Sequence, residues 1–254
     1  MTLPISRLVE TFSTQVFAAA VGPHQQLTLP HLIRLFQEGA MRNTKRLGIA
    51  TPTLMEQYGL TWVLHRQIIR AERWPTIGEP VRVLTVPVRM ERQLLTYRDF
   101  YLLDDREQPI ITATSAWSVM SLSSRRLKRL PGAVGSLLTD LPPAAQQLPW
   151  PDDKPGVPHA VSQSRDFRVD FADLDFNNHL TNPAFAELML EPLGADYLRA
   201  HLPRRADISY RMEARYGDQL TASTAPSTTP RTFDHGLYRG DELLASMQTE
   251  WMTR

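Results

Sequence analysis

The element pattern of this chain is written twice, with a proline-rich stretch between the two copies. Seven of the 20 prolines fall between Pro131 and Pro158, a density that sustains neither a helix interior nor a central strand. That stretch is expected to be an extended linker. Before it, Thr11 to Val16 alternates as a strand around Phe12 and Val16. A helix is expected from Thr28, a capping residue, with Pro30 in its first turn. Leu32, Leu35, Phe36, Gly39, Ala40, Asn43 and Leu47 follow at spacings of three and four, and Gly48 stops the run. Four strands are then expected near residues 60–72, 80–90, 94–103 and 109–120, the last two joined by a turn at Asp104-Asp105-Arg106-Glu107.

After the linker the order returns. Phe167, Val169 and Phe171 alternate against Asp166, Arg168 and Asp170, and Asn182-Pro183 again pairs a cap residue with a first-turn proline. Phe185, Leu188 and Met189 form an apolar stripe, Pro192 ends or kinks that helix, and a shorter one is expected over Leu193 to Ala200. Strands are expected near 206–214, 219–224, 232–239 and 243–252. Gly217-Asp218 echoes Gly78-Glu79, and Trp251 echoes Trp117. The fold class is therefore α+β, with each helix apolar enough to be wrapped by its own antiparallel sheet. Edge-to-edge pairing of the copies would remove exposed strand edges.

Composition narrows the function. The 254 residues are 42% hydrophobic and 22% charged, ordinary globular usage that excludes a disordered chain. No run of 18 apolar residues exists, so no membrane span is expected. The short apolar stretch Val16 to Gly22 follows Glu10 and no basic leader, so no secretory signal is expected and the location should be cytoplasmic. Cysteine is absent, which removes disulfides, thiolate metal sites and a cysteine nucleophile together. Residues 1–130 carry 17 Lys+Arg against 10 Asp+Glu, whereas 131–254 carry 11 against 17. The basic first half points to an acidic partner. Nucleic acid is not expected, because there is neither zinc-finger spacing nor an aromatic-interleaved basic run. Of the 28 cations 25 are Arg, which suits carboxylate or phosphate recognition and equally follows from a genome's base composition.

There is no G-x-S-x-G elbow, P-loop, G-x-G-x-x-G turn or H-E-x-x-H pair. The residues that stand out are Asp173-Leu174-Asp175-Phe176-Asn177-Asn178-His179-Leu180-Thr181-Asn182, just before the second helix. A calcium loop is excluded, because its sixth position is Asn178 where Gly is needed and its twelfth is Ala184 where Glu is needed. No metal is expected. An Asx-rich turn that merely caps the helix needs only Asn182. It leaves unexplained Asp175, Asn177 and His179 at alternate positions, which an extended stretch would place on one side beside a helix N-terminus. A carboxylate, an amide and an imidazole at that spot make a hydrolytic set.

DLDFNNHLTN, a helix, and then ISYRMEARYGD at 208–218 resemble the second half of the acyl-acyl-carrier-protein thioesterases, which carry Asp-x-Asn-x-His before a helix and a Tyr-Arg-x-Glu strand. LFQEGAMRNTKRLG (35–48), WVLHRQIIRAERWPTIGEPVRVLT (62–85), YRDFYLLDDREQPIITATSAWSVMS (97–121) and RRLKRLP (125–131) are similar to the family's first half. The resemblance implies two tandem hotdog domains, at 1–130 and 164–254, joined by a linker at 131–163. It implies Asp175, Asn177, His179 and Glu213 as the catalytic residues, with no cofactor. The partner implied is acyl-carrier protein with an acylated phosphopantetheine arm, and the reaction is release of free fatty acid. Plant members carry a cysteine directly after the glutamate; here it is Ala214, so a thiol is not required.

Thioester hydrolysis needs a nucleophile and donors for the developing oxyanion. Asn177 and the amides at the helix start are the donors expected here, and His179 or Glu213 would activate water. Asp175 would either anchor the network or attack the thioester itself. On a regular strand Glu213 shares a face with Ser209 and Arg211, and its plain alternative is a surface partner of Arg211. His65, His159, His201 and His235 are expected to be structural or exposed, and Trp62, Trp74 and Trp117 to belong to the core. Leu35, Phe36 and Ala40 are candidate walls for an acyl chain. Arg34, Arg42, Lys45 and Arg46 form either a solvated face or a carrier-protein docking patch. The rival functions are an acyl-CoA thioesterase or hydratase on the same fold, and a non-catalytic acyl-thioester sensor. The tandem repeat supplies internally the pairing of single hotdogs, so either a monomer or a homodimer is expected.

Overall fold

The computed structural model describes residues 3–254. Its first strand, β1, is Glu10–Gln15, and it is followed by the helices α1, Leu29–Arg46, and α2, Thr51–Tyr58. Strands β2 (Leu60–Ala71), β3 (Pro80–Glu91), β4 (Leu95–Leu103), β5 (Pro109–Ser121) and the short β6 (Leu127–Lys128) complete the first copy. A one-turn helix α3, Gly132–Gly135, precedes β7 (Gln163–Arg168), α4 (Asn182–Leu190) and α5 (Ala195–Ala200). Strands β8 (His201–Tyr210), β9 (Gln219–Pro226), β10 (Thr232–Arg239) and β11 (Glu242–Thr253) end the chain. The order of strand, helix and four principal strands occurs twice, as the hydrophobic periodicity requires. The predicted α+β class holds.

The chain forms two compact units. One comprises the residues up to Gln15 with Leu35–Gln67 and Pro80–Trp150; the other comprises Val16–Arg34, Ile68–Glu79 and Pro151–Arg254. In the first, antiparallel strands run in the order β1-β3-β4-β5-β2, with β6 on β5. Phe36 of α1 stacks on Phe100 of β4 with ring centroids 4.9 Å apart. Gly39 lets the helix backbone approach the sheet, since a Cβ there would meet Val83 at 3.2 Å and Thr85 at 3.4 Å. Asn43, fully buried on the same helix, donates its amide N–H to the Leu8 carbonyl.

Two features of this unit depart from the sequence expectation. Helix α2 follows Gly48 directly, starting with Pro52 in its first turn and ending at Gly59, whose φ of 62° only glycine adopts readily. The proline-rich stretch is not extended throughout. It forms α3 and short 3₁₀ turns at Ser136–Asp140 and Ala144–Gln146. Val134, Leu137, Leu141 and Trp150 pack into the core beside Leu8, Val119 and Tyr97, and the Leu148 amide donates to the buried Asp99 carboxylate at 2.7 Å. Apolar residues spaced between the prolines supply that burial.

In the second unit the antiparallel order is β8-β11-β10-β9-β7. Helix α4 buries Pro183, Phe185, Met189 and Leu190 and packs against β9, β10 and β11. Beneath it His235 is fully buried between the hydroxyls of Thr224 and Thr249, each 2.8 Å from a ring nitrogen.

The repeat is also present in the hydrogen bonds of this unit, where the loop before α1 and the loop before α4 correspond residue by residue. Ala18–Ala20 and Phe171–Asp173 are equivalent 3₁₀ turns. The bridges Val21↔Leu27 and Leu174↔Leu180 match, and Gln25 and Asn178 both adopt positive φ, 62° and 60°. The Gly78 amide donates to Val16 as Gly217 donates to Val169, and both glycines have positive φ, as the echo between the Gly-acid pairs predicts.

Burial drives His235 down to about 3, so it stays neutral in the fold at every pH above that. The unfolded chain takes up a proton near pH 6.5 that the folded chain refuses. Stability therefore falls as pH drops from about 6.5 toward 3, by at most about 1.4 kcal/mol per pH unit from this group. Burial raises Asp99 to about 6, which acts in the opposite sense between its unfolded value and that pH. The two effects separate in urea denaturation of wild type and His235→Gln across pH 7 to 4. The stability of wild type relative to the variant should fall with acidification; a constant difference would contradict the buried neutral imidazole.

Candidate active site

The segment from Asp175 to His179 is a tight turn rather than the extended stretch that alternate spacing suggested. Its closing element is the Asp175 carboxylate, whose Oδ1 accepts the backbone N–H of Asn177 at 2.8 Å and of His179 at 3.1 Å. The Asp175 amide donates to the His179 carbonyl at 2.8 Å, and Asn178 turns the chain with φ 60°. Asn tolerates that left-handed conformation better than most residues. Asn177 Nδ2 lies 3.4 Å from Asp175 Oδ2. The period-two argument thus grouped these residues on the wrong backbone, because a short Asx turn competes with extension wherever Asp precedes free amides.

The helix start also differs from expectation. The cap position is Thr181, with no side-chain cap hydrogen bond, and Asn182 is the first helical residue. The amides of Leu180, Thr181 and Ala184 donate to the carbonyls of Ala214, Asp173 and Thr181, and Pro183 has none. Most donors anticipated there are therefore occupied, and the second N–H of the Asn177 carboxamide becomes the loop's adaptable donor.

Glu213 lies beyond the end of β8, where the amides of Arg211 and Met212 both donate to the Leu244 carbonyl and break the alternation. This irregularity, unreadable from a period-two pattern, turns Glu213 toward the loop while Arg211 and Met212 remain exposed. Glu213 Oε2 lies 3.2 Å from His179 Nε2. Its Oε1 accepts from Arg215 at 2.7 Å, so the surface partner expected at Arg211 is Arg215 instead. The side chains of His179 and Glu213 are 23% and 29% exposed, open enough to meet a substrate and closed enough to hold one geometry. The Leu180–Ala214 hydrogen bond of 2.8 Å pins the loop to the strand end and sets that approach. Ala214 is fully buried, so a side chain at that position faces the core and not the loop.

All four predicted residues thus meet in one unit. Arg215 and Asn178 were not anticipated; the Glu-x-Arg spacing and an Asn in a turn of Asx residues were the available signals. Of the other candidates, His65 faces Ser118 at 2.6 Å and burial lowers its basicity. His201 stacks on Tyr197 and His159 is exposed. Trp74 is buried and Trp62 and Trp117 partly so, each donating its indole N–H to a protein oxygen. Arg42 and Arg46 pair with Glu38 and Glu10, the bond length being 2.6 Å in both, while Arg34 lies 3.9 Å from Glu187. No helix among the described residues is long and apolar enough to cross a membrane.

Residues 10–137 match the acyl-ACP thioesterase N-terminal domain and residues 157–253 the acyl-ACP thioesterase C-terminal domain. An oleoyl-acyl carrier protein thioesterase of Coriandrum sativum is 26% identical over 84% of this chain and 61% of its own length. A dodecanoyl-[acyl-carrier-protein] hydrolase of Cinnamomum camphora is 26% identical over 91% of this chain and 64% of its own. The chain thus spans about three fifths of the length of these curated relatives. Among solved structures, an acyl-ACP thioesterase from Bacteroides thetaiotaomicron superposes with a TM-score of 0.86 at 22% identity, covering 96% of this chain and 98% of that one. The 12:0-ACP thioesterase from Umbellularia californica gives 0.83 at 20% identity, covering 98% and 99%. These likenesses show the fold, a pair of hotdog-like units.

The anchoring by Asp175 is directly testable. Asp175→Ala should lower stability by about 1–3 kcal/mol, because two backbone donors lose their acceptor. It should also speed hydrogen exchange at the amides of Asn177 and His179. Asp175→Asn keeps an acceptor oxygen and should cost less than half as much. Equal losses in the two variants would remove the anchoring role.

Proposed function

We propose that this chain, which belongs to the acyl-ACP thioesterase family, is a cytoplasmic hydrolase that cleaves fatty acyl-acyl-carrier protein to free fatty acid and carrier thiol. The observation that carries the reading is the 3.2 Å approach of His179 Nε2 to Glu213 Oε2 beside the Asp175 turn. The catalytic residues lie in the C-terminal of two hotdog domains, 164–254, which follow the 1–130 domain and the 131–163 segment. The partner is the carrier protein with its acylated phosphopantetheine arm, and the names of the matched relatives support that choice over a coenzyme A thioester.

The geometry favours direct activation of water. The guanidinium of Arg215 occupies one oxygen of Glu213, leaving the other to accept the Nε2 proton of His179. In that tautomer Nδ1 carries the lone pair that takes a proton from water as it attacks the thioester carbonyl. The Asn177 carboxamide stabilises the carbonyl oxygen as it gains charge, a donor worth about 3 kcal/mol of barrier when pre-aimed. Collapse of the tetrahedral intermediate breaks the carbon–sulfur bond, and the imidazolium returns its proton to the departing thiolate. Asp175 is a poor nucleophile in this arrangement, because Oδ1 accepts two amides and Oδ2 faces the Asn177 carboxamide. It is a positioning residue.

Purified protein should release free thiol from acyl-ACP, and His179→Ala should lower kcat by roughly 10²–10⁴-fold. Glu213→Gln should fall in the same range, with KM little changed. Undiminished turnover in His179→Ala, or none in wild type, would overturn the reading.

A further inference from the structure

The loop before α1 holds different residues in the framework that the loop before α4 uses. By the shared hydrogen bonds, Gly22, His24 and Gln26 stand where Asp175, Asn177 and His179 stand. The Leu27 amide donates to the Pro75 carbonyl as Leu180 donates to Ala214, which puts Trp74 in the place of Glu213. A Cβ at residue 22 would meet the His24 ring at 2.9 Å, so a side chain there would have to displace that ring. The His24 Nδ1 accepts the Gln26 amide instead, in the role that the Asp175 carboxylate plays for His179. No acid–imidazole pair exists here, so this copy has the architecture of a site without the groups for hydrolysis.

Against that loop lies a cavity of about 410 Å³, within the size range of small-molecule sites. Its lining belongs wholly to the second compact unit and includes none of Asp175, Asn177, His179 and Glu213. It meets Glu187, Leu190 and Glu191 along the C-terminal half of α4 and just beyond it, whereas the candidate active site is at the N-terminal end of that helix. We propose that this cavity is a second ligand site that binds a free fatty acid without acting on it.

The lining supports that class of ligand. Leu27, Leu29, Leu190, Leu198, Leu202 and Trp251 form an apolar floor for a hydrocarbon tail. Arg199 and His24 supply donors for a carboxylate, while the lining's own carboxylates, Glu187 and Glu191, face Arg34 at 3.9 Å and Arg165 at 2.5 Å. Arg199 pairs at 3.0 Å with Asp196, whose side chain is fully exposed, so water screens that pairing and a bound carboxylate competes with it. His24 is neutral at physiological pH, because burial and the charge of Arg254 lower its basicity. With Nδ1 accepting from the Gln26 amide, its proton sits on Nε2, a donor. The ligand is of the product class of the proposed reaction, so occupancy would report product accumulation at a distance from the chemistry. Binding itself needs no turnover and none of Asp175, Asn177, His179 and Glu213.

Isothermal titration calorimetry of dodecanoate into the whole chain tests it. Ala195→Trp places an indole in the cavity, and Arg199→Glu reverses the charge of one of its two exposed arginines, the other being Arg165, paired with Glu191. Each should remove one equivalent of dodecanoate per chain or weaken that equivalent at least tenfold, while His179→Ala leaves it in place. Dodecanol, which lacks the carboxylate, should bind this site at least tenfold more weakly. A melting temperature within a few degrees of wild type certifies the fold of each variant. Absence of saturable dodecanoate binding, or identical binding in wild type and both cavity variants, would overturn the proposal. Loss of the equivalent in His179→Ala alone would assign it to the reaction site and overturn it equally.

Discussion

A single carboxylate closes the turn on which the proposed chemistry depends. Asp175 gathers the amides of Asn177 and His179 onto one oxygen, and the chain reverses at Asn178 so that the imidazole leaves the turn toward the strand end. Backbone donors at a helix entrance must be satisfied by something, and a side-chain oxygen two residues upstream satisfies them at the lowest conformational cost. The fold supplies the second half of the arrangement. The Leu180–Ala214 hydrogen bond ties the turn to the chain leaving β8, and the irregularity at Arg211 and Met212 rotates Glu213 inward. Arg215 then fixes the carboxylate from its far side.

The same framework carries two sets of residues. In both loops the 3₁₀ turn, the isolated bridge, the left-handed residue and the amide bonded to the neighbouring strand end are retained. Backbone geometry is thus separable from chemistry: carboxylate, amide, imidazole and glutamate in one copy become glycine, imidazole, carboxamide and indole in the other. His24 replaces the oxygen acceptor with a ring nitrogen, which keeps the turn closed while removing the group that would orient a base. A duplicated fold can in this way hold two different sets of side chains on one backbone framework.

Much of this was legible in the residues. Periodicities of two and three to four gave the order of elements, because apolar faces must be buried and their spacing reveals the element that buries them. Phe36, Gly39 and Asn43 lie on the buried side of α1 as their spacing requires. The four candidate site residues were found from chemistry and family resemblance together. What stayed hidden was local. Helix α2 has too few residues for a clear period, and the proline-rich stretch hid Val134, Leu137 and Trp150 as core residues. The turn at 175–179 and the break after Tyr210 are set by hydrogen bonds between segments distant in the chain, which no single-segment pattern contains. The correspondence of Trp74 with Glu213 likewise emerges only from the paired amides.

The proposed hydrolysis requires His179 and Glu213 to act as one unit. A double-mutant cycle on kcat/KM for acyl-ACP hydrolysis, built from His179→Ala, Glu213→Ala and the double variant, measures that directly. If the two side chains form one proton-transfer device, the double variant should be no slower than the more damaged single variant. Losses that multiply, as for residues acting independently, would contradict it.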